Sequence, residues 1–241
     1  MNYEDHSLLG DEKHFWYEAR KILIGKLFSH VSEKGNTKSI LDVGCGIGGE
    51  LDIISSFGRT TAMDIDKQAV ELAKEKGHRT ILADLENIKL DSNYFDIVCA
   101  FDVLEHLKND RKVMSEIFSS LKSKGIFLFT VPAHPSLFGH HDKSTGHERR
   151  YTKKEILNKL QESGFKSVEL YYWNIIILSA VYAYRKSKNL FFKKAKIESD
   201  AKKRNKFINS LLYFILKTEA LHLFRRKTTP GLSIYGIARK K

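Results

Sequence analysis

The chain has two cysteines, three prolines and no long apolar run, and each scarcity removes a class of protein. Cys45 and Cys99 fall at a turn and at the end of an expected strand, so nothing suggests the disulfide framework of a small secreted domain. The expected setting is a reducing cytoplasm. Residues Met1 to Lys13 are polar and mixed in charge, without the apolar run of a signal peptide, and the mature chain is expected to start at or near Met1. No stretch reaches the roughly 18 apolar residues that cross a bilayer, and the longest candidate, Trp173 to Tyr184, is too short. No segment is rich enough in Ser, Gly or Pro to be a linker, and no internal repeat is evident. One domain with an elaboration is therefore expected from the 241 residues.

Positive charge is in excess and unevenly placed. Residues 1–150 carry 20 Lys and Arg against 23 Asp and Glu, whereas residues 151–241 carry 21 against 6. The basic second part reads as a solvated surface, or as attraction to an anionic membrane face or to phosphate-bearing partners.

From Ser39 onward short apolar runs alternate with amphipathic stretches. Strands are expected over Ile40 to Val43, Thr60 to Ile65, Thr80 to Ala83, Phe95 to Ala100, Gly125 to Val131, Ser167 to Tyr172 and Leu232 to Ala238. Helices are expected over Glu50 to Ser56, Lys67 to Lys76, Arg111 to Leu121 and Lys153 to Ser163, the last opened by a Thr152/Glu155 capping box and ended by Gly164. This βαβ rhythm predicts an α/β, Rossmann-like, seven-stranded and mostly parallel sheet with helices on both faces. Residues 1–38 then form a helical cap, 39–172 the core, 173–230 a basic, apolar helical insertion, and 231–241 the last strand.

The strongest motif is the first strand-to-helix turn, Leu41-Asp42-Val43-Gly44-Cys45-Gly46-Ile47-Gly48-Gly49. Glycines there let the backbone approach a ligand and leave helix N–H groups facing a negative group, a pyrophosphate or an amino-acid carboxylate. Gly44, Gly46 and Gly49 satisfy GxGxxG, which a plain tight turn also satisfies. Asp64 follows at the end of the second strand, where a carboxylate can accept from both ribose hydroxyls. A helix cap is its competing role, and Asp66 could fill that instead. Ala83-Asp84-Leu85 closes the third strand, where a carboxylate beside an apolar neighbour can accept from an adenine amino group or form a surface turn. The fourth strand leads into Phe101-Asp102-Val103-Leu104-Glu105-His106, whose two acids also fit a helix cap and its third-position partner.

In this order and spacing the four motifs resemble the class I S-adenosylmethionine-dependent methyltransferases, over roughly Phe15 to Tyr172 plus the last strand. The Leu104-Glu105-His106 signature is similar to the small-molecule branch that includes the ubiquinone-pathway O-methyltransferases. The resemblance implies S-adenosylmethionine as cofactor, with Gly44 and Gly46 facing its methionine part and Asp64, with Ile65 alongside, its ribose. Asp84 and Leu85 would flank the adenine, and Phe101 would line the cofactor beside the sulfonium. Phe15-Trp16-Tyr17-Glu18-Ala19-Arg20 is similar to an N-terminal helix that gives an Arg to the cofactor carboxylate, which makes Arg20 that candidate; a solvated helix Arg is the rival. The implied reaction is direct displacement onto a small-molecule or lipid-linked acceptor, in which positioning supplies most of the catalysis.

A loop rich in titratable groups follows the fifth strand, with His134, His140, His141, Asp142, His147, Arg149, Arg150 and Tyr151. Ligands of open α/β sheets sit outside the C-terminal strand ends, so this loop is expected over the reacting methyl group. Its histidines could supply a base and its arginines an anion clamp; His141 and His147 are the catalytic candidates, with His106 next. No metal site is expected from His140, His141, Asp142 and His147, because adjacent histidines point apart in an extended loop.

Three other functions compete. An NAD-dependent oxidoreductase would use the glycine turn and Asp64 equally well, but it explains neither Asp84 nor Phe101 to His106. A nucleic-acid methyltransferase would use the basic tail. Against it, the fourth strand lacks the Asn/Asp-Pro-Pro-aromatic segment of amino-methylating enzymes, and neither cysteine follows a proline. A binding module would hold the cofactor without turnover. Finally, the apolar segments Trp173 to Tyr184 and Phe207 to Phe224, on either side of a Lys-rich stretch, are expected to contact an anionic membrane surface, or else to cover the sheet or a partner subunit.

Overall fold

Strands that read as almost continuous apolar runs belong to a sheet covered on both faces, and the computed structural model has that arrangement. It describes residues 14–35, 37–176, 178, 206–222, 224 and 229–241. Residues 1–13 and the basic stretch as far as Asn205 lie outside this range.

The strands are β1 (Ser39–Val43), β2 (Arg59–Asp64), β3 (Arg79–Leu82), β4 (Phe95–Phe101), β5 (Leu121–Pro132), β6 (Ser167–Trp173) and β7 (Ser233–Arg239). They form one sheet in the order β3-β2-β1-β4-β5-β7-β6. Of these seven, β7 alone runs against the rest, antiparallel to both β5 and β6. The helices are α1 (Phe15–Val31), α2 (Leu51–Ser55), α3 (Lys67–Glu75), α4 (Asp110–Ser120), α5 (His140–Ser144), α6 (Lys153–Glu162) and α7 (Lys206–Leu221).

Alternation along the central strands sends side chains to two cores. Val98 and Ala100 of β4 join Phe127, Phe129 and Val131 of β5 beneath α4 and α6. Ile97, Cys99 and Phe101 join Ile126 and Leu128 on the other face, beneath α1 and α7. Residues 173–230 thus supply a helix that covers the sheet, although the chain first completes β6 with the buried Trp173. Glu219 of α7 anchors the chain leaving β6, accepting from the N–H groups of Ile175 at 2.9 Å and Ile176 at 2.6 Å.

Local signals set the helix starts. Asp66 accepts from the N–H groups of Gln68 and Ala69 at the head of α3, and Thr152 accepts from Glu155 N–H at 3.1 Å at the head of α6. One boundary differs from expectation: β5 starts at Leu121, before Gly125, because its pairing jumps from Phe95–Leu121 to Ile97–Ile126 across a bulge. A bulge interrupts the alternation by which a strand is recognised in sequence. Both cysteines are buried and carry free thiols.

One buried ionic group joins α4, α6 and the end of the long loop. The Asp110 carboxylate accepts from Lys159 Nζ at 2.5 Å and from the Tyr151 hydroxyl at 2.7 Å, with Arg149 at 3.4 Å. Burial works against its charge, yet the bonds from Lys159 and Tyr151 and the neighbouring cations hold its pKa below the ordinary carboxylate value. Asp110→Asn should therefore destabilise the protein by about 3 kcal/mol at neutral pH, because the buried Lys159 ammonium is left with only the more exposed Glu155 carboxylate, 3.4 Å away. A depressed folded-state pKa gives stability that is complete above the unfolded value of about 4 and is lost as pH falls through the folded one. Urea unfolding of the two proteins should differ at pH 7 and converge in acid; equal stability at pH 7 would refute this role.

Candidate active site

The sheet order reverses at β1, since β2 and β3 lie on one side of it and β4 on the other. The carboxyl ends of β1 and β4 consequently flank a crevice, the position where open α/β sheets bind ligands. The glycine turn lines it. Gly44 and Gly46 have φ of 71° and 51°, and a Cβ on Gly44 would stand 2.4 Å from Val103 Cγ2, so the turn packs directly on the chain leaving β4.

Asp64 braces this turn from the end of β2. Its Oδ2 accepts from Gly46 N–H at 2.8 Å and its Oδ1 from Asp66 N–H at 2.9 Å, while Asp66 itself caps α3. Ile65 beside it is exposed. Asp84 holds its own turn, accepting from Glu86 N–H at 2.9 Å and Asn87 Nδ2 at 2.6 Å, as in the surface-turn alternative. The Leu85 side chain is buried in the core, which leaves its backbone as the part a ligand can use.

Arg20 reaches the same crevice from α1, and it is not a solvated helix residue. Its side chain is 11% exposed, with NH1 3.4 Å from Glu50 and Nε 3.5 Å from Asp102. NH2 donates to the Phe101 carbonyl at 2.9 Å, and the guanidinium lies 5.0 Å from the centre of the Trp16 ring. Burial opposes the charge, but Glu50 and Asp102 hold the pKa above its ordinary value. Nearby, burial and then the Glu50 charge push Asp42 up to about 7. Glu50, which follows the glycine motif, was not singled out in the sequence because its partner lies thirty positions upstream on another element.

The acids after β4 do not cap a helix. Asn109 caps α4; Asp102, at φ 57°, accepts from the Thr130 hydroxyl at 2.9 Å; and Glu105 is fully buried. Desolvation first, and the Asp102 charge second, raise the Glu105 pKa well above the ordinary value.

The loop after β5 folds over these groups, and its organising residue is Asp142, which is buried. It accepts from Gly139 N–H at 2.8 Å, Arg150 Nε at 2.7 Å and His147 Nδ1 at 3.2 Å. Burial opposes its charge, yet the His147 and Arg150 hydrogen bonds leave its pKa far below the ordinary value. The expected anion clamp does not form: Arg150 is taken by Asp142 and by the Ala133 carbonyl at 3.1 Å, and Arg149 by Asp110 and the Lys108 carbonyl. Residues 140–144 are the short helix α5 rather than an extended loop. His134 stacks on Tyr172 and bonds to the Gly231 carbonyl, whereas His141, His147 and His106 come together in edge-to-face ring contacts. The His106 pKa is pulled down to about 4, by burial first and by His147 second.

A family model described as a methyltransferase domain matches residues 41–129, from the glycine turn through β5. A Mycolicibacterium smegmatis protein named "Probable S-adenosylmethionine-dependent methyltransferase" is 24% identical over 160 residues, covering 64% of this chain and 61% of its own length. A ubiquinone biosynthesis O-methyltransferase of Coxiella burnetii is 23% identical, covering 53% of this chain and 62% of its own. The chain thus spans about three fifths of the length of the curated relatives it matches. Among solved structures, a SAM-dependent methyltransferase of Archaeoglobus fulgidus shares the fold with a TM-score of 0.59 at 18% identity, covering 91% of this chain and 94% of that one. The match to a methyltransferase domain thus lies across the crevice of the sheet, and the fold is shared with a solved SAM-dependent methyltransferase.

Proposed function

We propose that this protein moves the methyl group of S-adenosylmethionine to a small-molecule or lipid-linked acceptor by direct displacement. The observation that carries the reading is the charge of the crevice: among the described residues, the carboxyl groups of Asp42, Glu50, Asp64 and Asp102 outnumber its cations, Arg20 and the Lys76 ammonium that donates to the carbonyls of Ile47 and Gly48. A ligand with a sulfonium and an ammonium suits such a site; a dinucleotide with its anionic pyrophosphate does not. In the reaction an acceptor lone pair forms a bond to the methyl carbon as the S–CH3 bond breaks, and the sulfonium becomes a neutral thioether. The crevice holds the two reactants in line, and a base is needed only where the acceptor loses a proton.

Calorimetry of the purified chain should register saturable binding of S-adenosylmethionine and none of NAD; the reverse pattern overturns the reading. Asp64→Ala should weaken cofactor binding by about 1.5–3 kcal/mol, the worth of a hydrogen bond to a charged group.

The acceptor side is the cluster beneath the long loop, where Asp142 orients the His147 imidazole. His147→Ala is expected to lower kcat about 100-fold while cofactor affinity stays within about threefold, since losing a group that promotes departure of the acceptor's proton, directly or through what it holds, costs about two to four orders of magnitude. Wild-type turnover at saturating acceptor would make the loop purely structural.

A membrane source for the acceptor draws support from α7. Phe207, Leu211, Phe214 and Leu221 recur on one face of this helix at 76%, 50%, 67% and 48% exposure. An interfacial helix combines such a stripe with basic flanks, and the surplus of Lys and Arg in residues 151–241 favours an anionic leaflet over a second, equally basic copy of the chain. No helix among the described residues is long and apolar enough to cross a membrane. Sedimentation with vesicles containing anionic lipid should carry the protein down, less so at about 0.5 M salt. Protein left in the supernatant at both salts would make the basic region ordinary surface.

A further inference from the structure

Glu105, His106 and His147 bring one potential ligand atom each to within 4.8 Å of one another. Two independent features suggest that this grouping takes a cation. The first is Glu105: it is fully buried, and neither carboxylate oxygen has a hydrogen-bond partner among the described residues. A buried carboxylate in that condition requires a proton or a positive ion. The second is the orientation of the imidazoles. His106 Nδ1 lies 3.1 Å from the Gly146 carbonyl and His147 Nδ1 3.2 Å from the Asp142 carboxylate, both acceptors only. Each neutral ring therefore carries its proton on Nδ1 and leaves Nε2 as a lone pair. Metal-bound histidines are typically held in this way, the distal N–H given to a carbonyl or carboxylate that sets the tautomer.

We propose that Glu105, His106 and His147 bind a divalent first-row transition ion of the Zn2+ kind, with a fourth position open toward the acceptor. Two imidazoles and one carboxylate suit such an ion, whereas Mg2+ and Ca2+ favour sites made wholly of oxygen. Tetrahedral bonds of about 2.0–2.1 Å place ligand atoms about 3.3 Å apart, so small side-chain rotations close the present spacing. The His106 and His147 rings meet edge to face, their centres 4.7 Å apart.

The sequence hides this site because the ligands lie about forty positions apart with no helical spacing. The loop brings them together by donating Glu148 N–H to the Glu105 carbonyl at 2.8 Å. The ion's role rests on the methyltransferase reading, although its binding does not. In the open position the ion would polarise an acceptor hydroxyl and lower its pKa, so that the oxygen attacks the methyl carbon as an alkoxide and its proton passes to solvent.

The test uses the full chain, stripped with EDTA and desalted. Titration with Zn2+ by calorimetry, and with Co2+ followed by its visible d–d absorption, should show one equivalent bound per chain. His147→Ala and Glu105→Gln should each weaken Zn2+ binding at least about tenfold, since even groups that only orient a ligand cost about 10–100-fold. His140→Ala, in the same loop, should bind as wild type does. Should either cluster variant fail to fold, a rise in the wild-type melting temperature with Zn2+, reversed by EDTA, remains as a readout. Absence of saturable Zn2+ binding, or undiminished binding by either His147→Ala or Glu105→Gln, overturns the site. S-adenosylmethionine calorimetry on the same preparations separates the two ideas: cofactor binding without Zn2+ binding sinks the metal site alone, and Zn2+ binding without cofactor binding sinks the methyltransferase reading alone.

Discussion

A guanidinium does not give up its proton inside a protein, so burying Arg20 obliges the fold to surround it with acceptors. Those acceptors come from three places: Glu50 after the glycine turn, Asp102 beyond β4, and the carbonyl of Phe101. Arg20 thereby fixes α1 against the carboxyl ends of the central strands β1 and β4, and α1 covers one apolar face over Ile97, Cys99 and Phe101. Removing this cation would leave Glu50, Asp102 and Asp42 facing one another in a site of low dielectric. Folding and ligand charge are linked here, because the same surplus of acid that needs Arg20 also suits a cationic cofactor.

The loop after β5 repeats the principle with the signs exchanged. Asp142 is a buried anion, and Gly139, His147 and Arg150 converge on it to form the inside of the loop. Two residues that look like free cations in the sequence, Arg149 and Arg150, are used up in stabilising buried carboxylates. Glu105, left without a donor among the described residues, is the group whose environment asks most plainly for a positive partner.

Much of this was legible in the order of residues. The alternation of short apolar runs with amphipathic stretches yields the seven strands, since a strand buried on both faces leaves a run of apolar residues whatever surrounds it. The glycine turn was legible because positive φ and close approach to Val103 demand glycine at that position. Helix starts at Asp66 and Thr152 were legible because a cap is a local hydrogen bond. The β5 boundary was not, because a bulge suspends the period by which strands are recognised.

By itself, then, the sequence determined what depends on neighbours along the chain: strand and helix positions, caps, the glycine turn, and the acidic residues Asp64 and Asp84 at the strand ends. Tertiary structure alone decided which charges meet. Arg20 and Glu50, Asp142 and Arg150, Glu105 and His147 sit on different elements or opposite ends of a loop, and no periodicity relates them. Electrostatic energy depends on distance and burial, and both are properties of the folded chain. A residue's type says whether it can carry charge; its surroundings decide whether that charge pairs, titrates or waits for a ligand.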